Sequence, residues 1–171
     1  MRSSRTMIAG VPWPRPAATT RTRVEVSAMD SPAVRVFRAG PYPVIHTFRI
    51  DDLDGEVELD VALLIDGIPT MIAASRFPLD DTWHRIPAAL SSGDAHLGVV
   101  GVPYAAETPF GPPDVFPSAY VGLECANGER LILAYIRGRD PNQDAESFAQ
   151  EVLIGIRHGR TPDELGDPIE D

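Results

Sequence analysis

The chain has 171 residues, 43% of them hydrophobic, and its 25 acidic residues against 15 basic ones give a net charge of −10. That size suits one folded domain with flanking tails. The acidic balance disfavours nucleic acid and anionic membrane as partners and favours a basic protein, or it simply keeps a soluble protein dispersed. All 15 basic residues are arginine, as GC-rich codon usage produces. Schiff-base chemistry, a phosphate-loop lysine and a lysine general base are therefore excluded. The single cysteine, Cys125, rules out an intrachain disulfide and suits a reducing, cytoplasmic setting. Apolar runs fall well short of the roughly 20 residues of a membrane helix.

Residues 1–31 mix arginine, serine, threonine and proline without hydrophobic periodicity and are expected to be disordered. Residues 1–28 carry a net +4, which leaves −14 for 29–171. The apolar stretch 7–11 is too short for a secretory signal. The segment reads either as a tail or as an extension ahead of a start at Met29. The body, 32–158, opens with a short strand at 34–38, ended by Gly40-Pro41. A second strand follows over 42–50, with Tyr42, Val44, His46, Phe48 and Ile50 on one face. Residues 57–65 alternate again, and Asp66-Gly67 predicts a two-residue hairpin turn in which Ile65 faces Ile68, Leu63 faces Thr70 and Val61 faces Ile72. A short helix is expected from Asp80 or Asp81 to Leu90, interrupted by Pro87. A buried strand follows over 97–102.

Residues 103–118 hold five prolines and the aromatics Tyr104, Phe110 and Phe116, and are read as a long loop. Next, 120–125 and 130–137 form a central hairpin about Asn127-Gly128, pairing Leu123 with Ile132, Val121 with Ala134, Tyr120 with Tyr135 and Cys125 with Arg130. A long helix is expected over 142–158, capped by Asn142, with Ala145, Phe148, Ala149, Val152, Leu153 and Ile156 as its apolar stripe. Residues 159–171 read as a disordered acidic tail. Hairpins dominate and no βαβ alternation occurs. The fold class is therefore α+β: one antiparallel sheet of about six to seven strands, with a short middle helix and a long C-terminal helix packed on it.

Chemical motifs are sparse. The acids Asp51, Asp52, Asp54, Glu56, Glu58 and Asp60 miss the spacing of a calcium loop, since aligning Gly55 with the loop glycine puts Ile50 and Val61 where carboxylates are needed. They read as a solvated turn and strand face. His46, His84, His96 and His158 show no metal-ligand spacing, and no metal or other cofactor is expected. Cys125 beside Arg130 resembles the environment of an activated thiol, but it shares a face with Leu123 and Val121, where a buried apolar role is expected. Loop 103–118 is the candidate contact surface, because long loops in compact domains are often functional and prolines lower the entropy cost of ordering them. Its candidate partner-binding residues are Tyr104, Phe110, Phe116 and Asp114, with Phe110 the most exposed aromatic. The function expected is a non-enzymatic adaptor, chaperone-like or immunity-like domain for a protein partner, compatible with homo-oligomerisation. The alternatives are a small hydrolase or thiol enzyme built on Cys125 with His46 or His84, and a structural subunit of a larger assembly.

Overall fold

The computed structural model describes residues 35–81 and 83–169, together with the backbone of a two-residue strand, Arg23–Val24. The expectations for residues 1–22 and 25–31 lie outside the described residues. In chain order the elements are β1 (Arg23–Val24), β2 (Val36–Tyr42), β3 (Val44–Asp51), β4 (Glu56–Ile65), β5 (Ile68–Pro78), α1 (Arg85–Leu90), β6 (Ala95–Ala106), β7 (Asp114–Glu124), β8 (Arg130–Arg137), α2 (Ala145–Arg157), α3 (Pro162–Leu165) and β9 (Asp167–Pro168). Antiparallel strands predominate, as the hairpin-rich sequence implies. None of the described helices is long and apolar enough to cross a membrane.

The strands form two sheets, not the single sheet expected. One runs β1-β8-β7-β6-β2, with β9 also pairing with β8, and the other runs β3-β4-β5. The divergence lies at 40–43. Gly40 takes φ +118°, the β2–β6 register shifts between Ala39 and Tyr42, and β3 then pairs with β4 instead of continuing in the first sheet. Periodicity assigns a face to each strand but not a neighbour, so a meander of four strands could not be told from a change of sheet.

The β4–β5 turn forms as expected, with Asp66 at φ 53° and Gly67 at φ 77°, and Ile65 faces Ile68 and Leu63 faces Thr70. Beyond it, a register shift between Val61 and Ala62 puts Val61 opposite Ala73 and not Ile72. Pro69 lies on β5, an edge strand, where its missing N–H costs no ladder bond. The acidic run divides in two. Asp51 Oδ1 accepts from the amides of Leu53 and Asp54, both at 3.2 Å. Glu58 and Asp60, expected in solvent, are 6% and 3% exposed, and Arg76 pairs with Glu56 and lies 3.8 Å from Glu58.

One apolar core joins both sheets to α1 and α2. Leu59, Leu63, Ile72 and Phe77 from the smaller sheet meet Leu97, Val121, Leu123 and Leu133 from the larger and Phe148, Val152 and Ile156 from α2. α2 lies mainly on β6 and β7. Gly101 makes that approach feasible, since a Cβ there would sit 2.2 Å from the carbonyl oxygen of Ala145. The helix starts later than expected. Asp144, not Asn142, caps it by accepting from the Ser147 amide at 2.8 Å, and this bond holds the Asp144 carboxyl below its ordinary pKa. Pro87 sits in the first turn of the short α1, where no intrahelical N–H bond is lost.

The segment after Gly159, expected as a tail, folds back over 161–169. The Thr161 amide donates to Glu164 Oε1 at 2.8 Å to open α3, and this contact lowers the Glu164 pKa. Asp167 pairs with Arg139 at 3.1 Å, the Ile169 amide donates to the Tyr135 carbonyl at 2.8 Å, and Ile169 is buried. An acidic composition concealed two apolar anchors, Leu165 and Ile169, and an arginine to receive Asp167.

Candidate functional site

The stretch expected as a 16-residue loop is mostly strand. β6 and β7 stay in unbroken register from His96↔Glu124 out to Ala106↔Asp114, so only residues 107–113 connect them. Five prolines argued against strand, but Pro103 faces Pro117 directly. Both missing donors therefore fall at one level of the ladder, and the pairing resumes beyond it. The result is a two-stranded ribbon whose root lies in the core and whose outer end leaves it.

Tyr104 and Phe116 pair across that ribbon and are half-buried. Phe116 lies under the Arg137 guanidinium, 4.7 Å from its ring centre. Tyr104 meets Tyr135 edge-on at 6.3 Å, and Tyr135 stacks on Tyr120 at 4.1 Å. The Ser118 hydroxyl, fully buried, donates to the Val102 carbonyl at 2.7 Å. These contacts seat the two aromatics on the face of the larger sheet opposite α2.

Phe110 is different. It is 92% exposed, the most exposed aromatic among the described residues. Gly111 next to it takes φ +93°, and Pro109, Pro112 and Pro113 stiffen the flanks. The Thr108 hydroxyl lies 3.2 and 3.1 Å from the carbonyl oxygens of Phe110 and Pro112, a local bond that closes the turn. Val115, 54% exposed, and the exposed carboxylate of Asp114 lie at the start of β7 just behind it. The four residues singled out from sequence thus share one ribbon, but Tyr104 and Phe116 form its supported base and Phe110 its free end.

The groups considered for catalysis do not assemble. Cys125 is buried, and burial together with the nearby Glu129 carboxylate pushes its thiol up to about 11. Its expected partner Arg130 instead faces Glu124, with Nε 3.2 Å from Oε2. The cause is local: the turn has three residues, 126–128, with Gly128 at φ +90°, so Leu123 faces Leu131, and a register shift between Val121 and Gly122 restores the expected Val121↔Ala134 and Tyr120↔Tyr135 pairs. His46 packs edge-on against Phe48 at 5.3 Å, and burial lowers its pKa below 6.5. Its Nε2 lies 3.5 Å from Ser91 Oγ, at the outer limit of a hydrogen bond. His84 is exposed beside Trp83. Among the described residues no three histidine, cysteine or carboxylate side chains gather as a metal site would need. A hollow of about 430 Å³ lies between α2 and α3, lined by Arg139, Glu151, His158, Arg160 and Leu165. Sequence reasoning missed it because it depends on α3, which the acidic composition of 160–171 concealed.

Comparison with protein-family models, with curated proteins and with solved structures finds no match to this chain, so its site is read from its own geometry.

Proposed function

We propose that this protein is a small acidic, non-enzymatic binding domain that grips a protein partner with the end of the β6–β7 ribbon. One observation carries the reading: Phe110 projects, 92% exposed, from a turn framed by three prolines. An aromatic held on a stiff turn loses little freedom on binding and offers a large contact area. Asp114 and Glu107 flank it, and the net charge of −10 adds long-range attraction for a basic surface. The thiol-enzyme alternative loses support from Cys125, which is buried, raised in pKa and not paired with the arginine expected beside it.

The test uses immobilised full-length protein and its Phe110→Ala variant against a lysate of the native host. Proteins that the wild type retains are identified by mass spectrometry and then titrated singly. Binding to the variant is expected to weaken at least tenfold, about 1.4 kcal/mol, with the thermal midpoint unchanged. A partner held equally well by the variant would leave the ribbon end as mere connection. A mass that grows with concentration would favour the structural-subunit reading instead.

A further inference from the structure

The end of α2 leaves a space that its own side chains do not fill. Gly159, at φ +88°, turns the chain back. Its amide donates to the Ile156 carbonyl at 2.9 Å, and the Arg160 amide donates to the Gly155 carbonyl at 2.9 Å. Helix ends closed by this pair of bonds commonly add an apolar contact from the residue in the position of Arg160 back to the helix. Arginine does not supply that contact, and Gly155 has no side chain to receive it. Ile154, the neighbouring candidate, is left 53% exposed. The space over Gly155 is closed from α3 instead, where Leu165 comes so near that a Cβ on Gly155 would lie 2.5 Å from Leu165 Cδ2. The hollow of about 430 Å³ described above lies beside this contact, and its size falls within the range of small-molecule sites.

Its apolar wall is Phe148, Val152, Ile154 and Leu165. Most of its charged groups are already engaged. Arg139 pairs with Asp167 at 3.1 Å, Glu151 accepts from Gln143 Nε2 at 2.8 Å, and Glu164 Oε1 accepts from the Thr161 amide at 2.8 Å. Arg160 differs. Its Nη2 donates to the Glu164 carbonyl oxygen over a long 3.4 Å. Its charge helps to lower the Glu164 pKa, but among the described residues it enters no ion pair. The ring of His158, on the same hollow, has Nδ1 2.9 Å from the Ile154 carbonyl oxygen, which leaves Nε2 for another partner. A guanidinium with donors to spare beside an apolar wall matches a carboxylate carried on an apolar body. A cationic ligand would meet Arg139 and Arg160 as like charges.

We propose that the hollow between α2 and α3 binds a small carboxylic acid with an apolar body, its carboxylate held by Arg160 and its hydrocarbon laid against Phe148, Ile154 and Leu165. The site shares no residue with the end of the β6–β7 ribbon, so the inference stands apart from the role of Phe110.

The test follows the backbone amide shifts of the isotope-labelled full chain during titration with hexanoate, and with hexanol and hexylamine as probes of the same body without the carboxylate. Hexanoate is expected to give saturable shifts at Gly155, Leu165 and Gly166, complete by about 10 mM. Hexanol and hexylamine are expected to bind at least about fivefold more weakly, and Arg160→Gln to weaken hexanoate by a similar factor. Shifts that do not saturate, or that centre on other residues, would overturn the site. Equal affinity for hexanoate and hexanol, or for hexanoate in the wild type and the variant, would overturn the role of Arg160 and with it the ligand class. The comparison of the three probes needs no substitution, so it decides the question even if Arg160→Gln fails to fold.

Discussion

The β4–β5 and β6–β7 hairpins are built from strands of similar length and end very differently. β4 is buried almost from end to end and closes on a two-residue turn, Asp66-Gly67. β6 is buried only at Ala95 and from Leu97 to Val100, and both strands of its ribbon become exposed towards 107–113. Burial runs unbroken from Val57 to Leu63 in β4 and ends at Val100 in β6. Where the pattern stops, cross-strand pairs replace core burial as the source of order, and a weakly anchored end becomes free to meet something else.

The largest effect expected from breaking this contrast comes at the ribbon root. Leu97→Ala, at a fully buried position, should cost about 2–5 kcal/mol in urea unfolding. Val115→Ala, on the half that leaves the core, should change stability by less than about 0.5 kcal/mol. Similar costs at the two sites would mean that the outer ribbon is held as firmly as the root.

The turns sharpen the comparison. Gly67 and Gly111 both have positive φ and open space around a would-be Cβ, so valine strains both backbones equally. Gly67→Val should cost about 1–3 kcal/mol, because paired strands on both sides prevent relaxation. Gly111→Val should cost less than about 1 kcal/mol, because the seven-residue connection 107–113 can rearrange. Equal losses would show that the ribbon end is as rigidly specified as the tight turn.

Cys125 probes the turn end of the neighbouring β7–β8 hairpin. With its thiol pushed up to about 11, little thiolate exists at neutral pH. A thiol reagent should label the native protein far more slowly than the unfolded one. Rapid native labelling would reopen the enzyme reading.

The smallest effect is a pH dependence beside the β4–β5 hairpin. Burial depresses the His46 pKa below 6.5, so the unfolded chain takes up a proton first. Stability from this group is complete above about 6.5 and declines as pH falls towards the folded value. His46→Gln should flatten the difference in urea midpoint between pH 7.5 and 5.5. An unchanged difference would place the titration elsewhere.

Strand faces, the Asp66-Gly67 turn, the apolar stripe of the last long helix and the exposure of Phe110 were legible in the sequence, because each depends on residues close together in the chain. Periodicity reports which side of a strand is dry, glycine reports a backbone that must turn, and proline stiffens its neighbours wherever they lie. What only the tertiary structure decided depends on partners distant in the chain. The change of sheet after Gly40, the opposition of Pro103 and Pro117 that turns a supposed loop into a ribbon, the one-residue offset placing Glu124 and not Cys125 beside Arg130, and the docking of Leu165 and Ile169 are all matters of register and neighbour. Local pattern carries no information about those. A strand of period two fits either sheet equally well, and the choice is made by whichever pairing lets both sheets and α2 close one core.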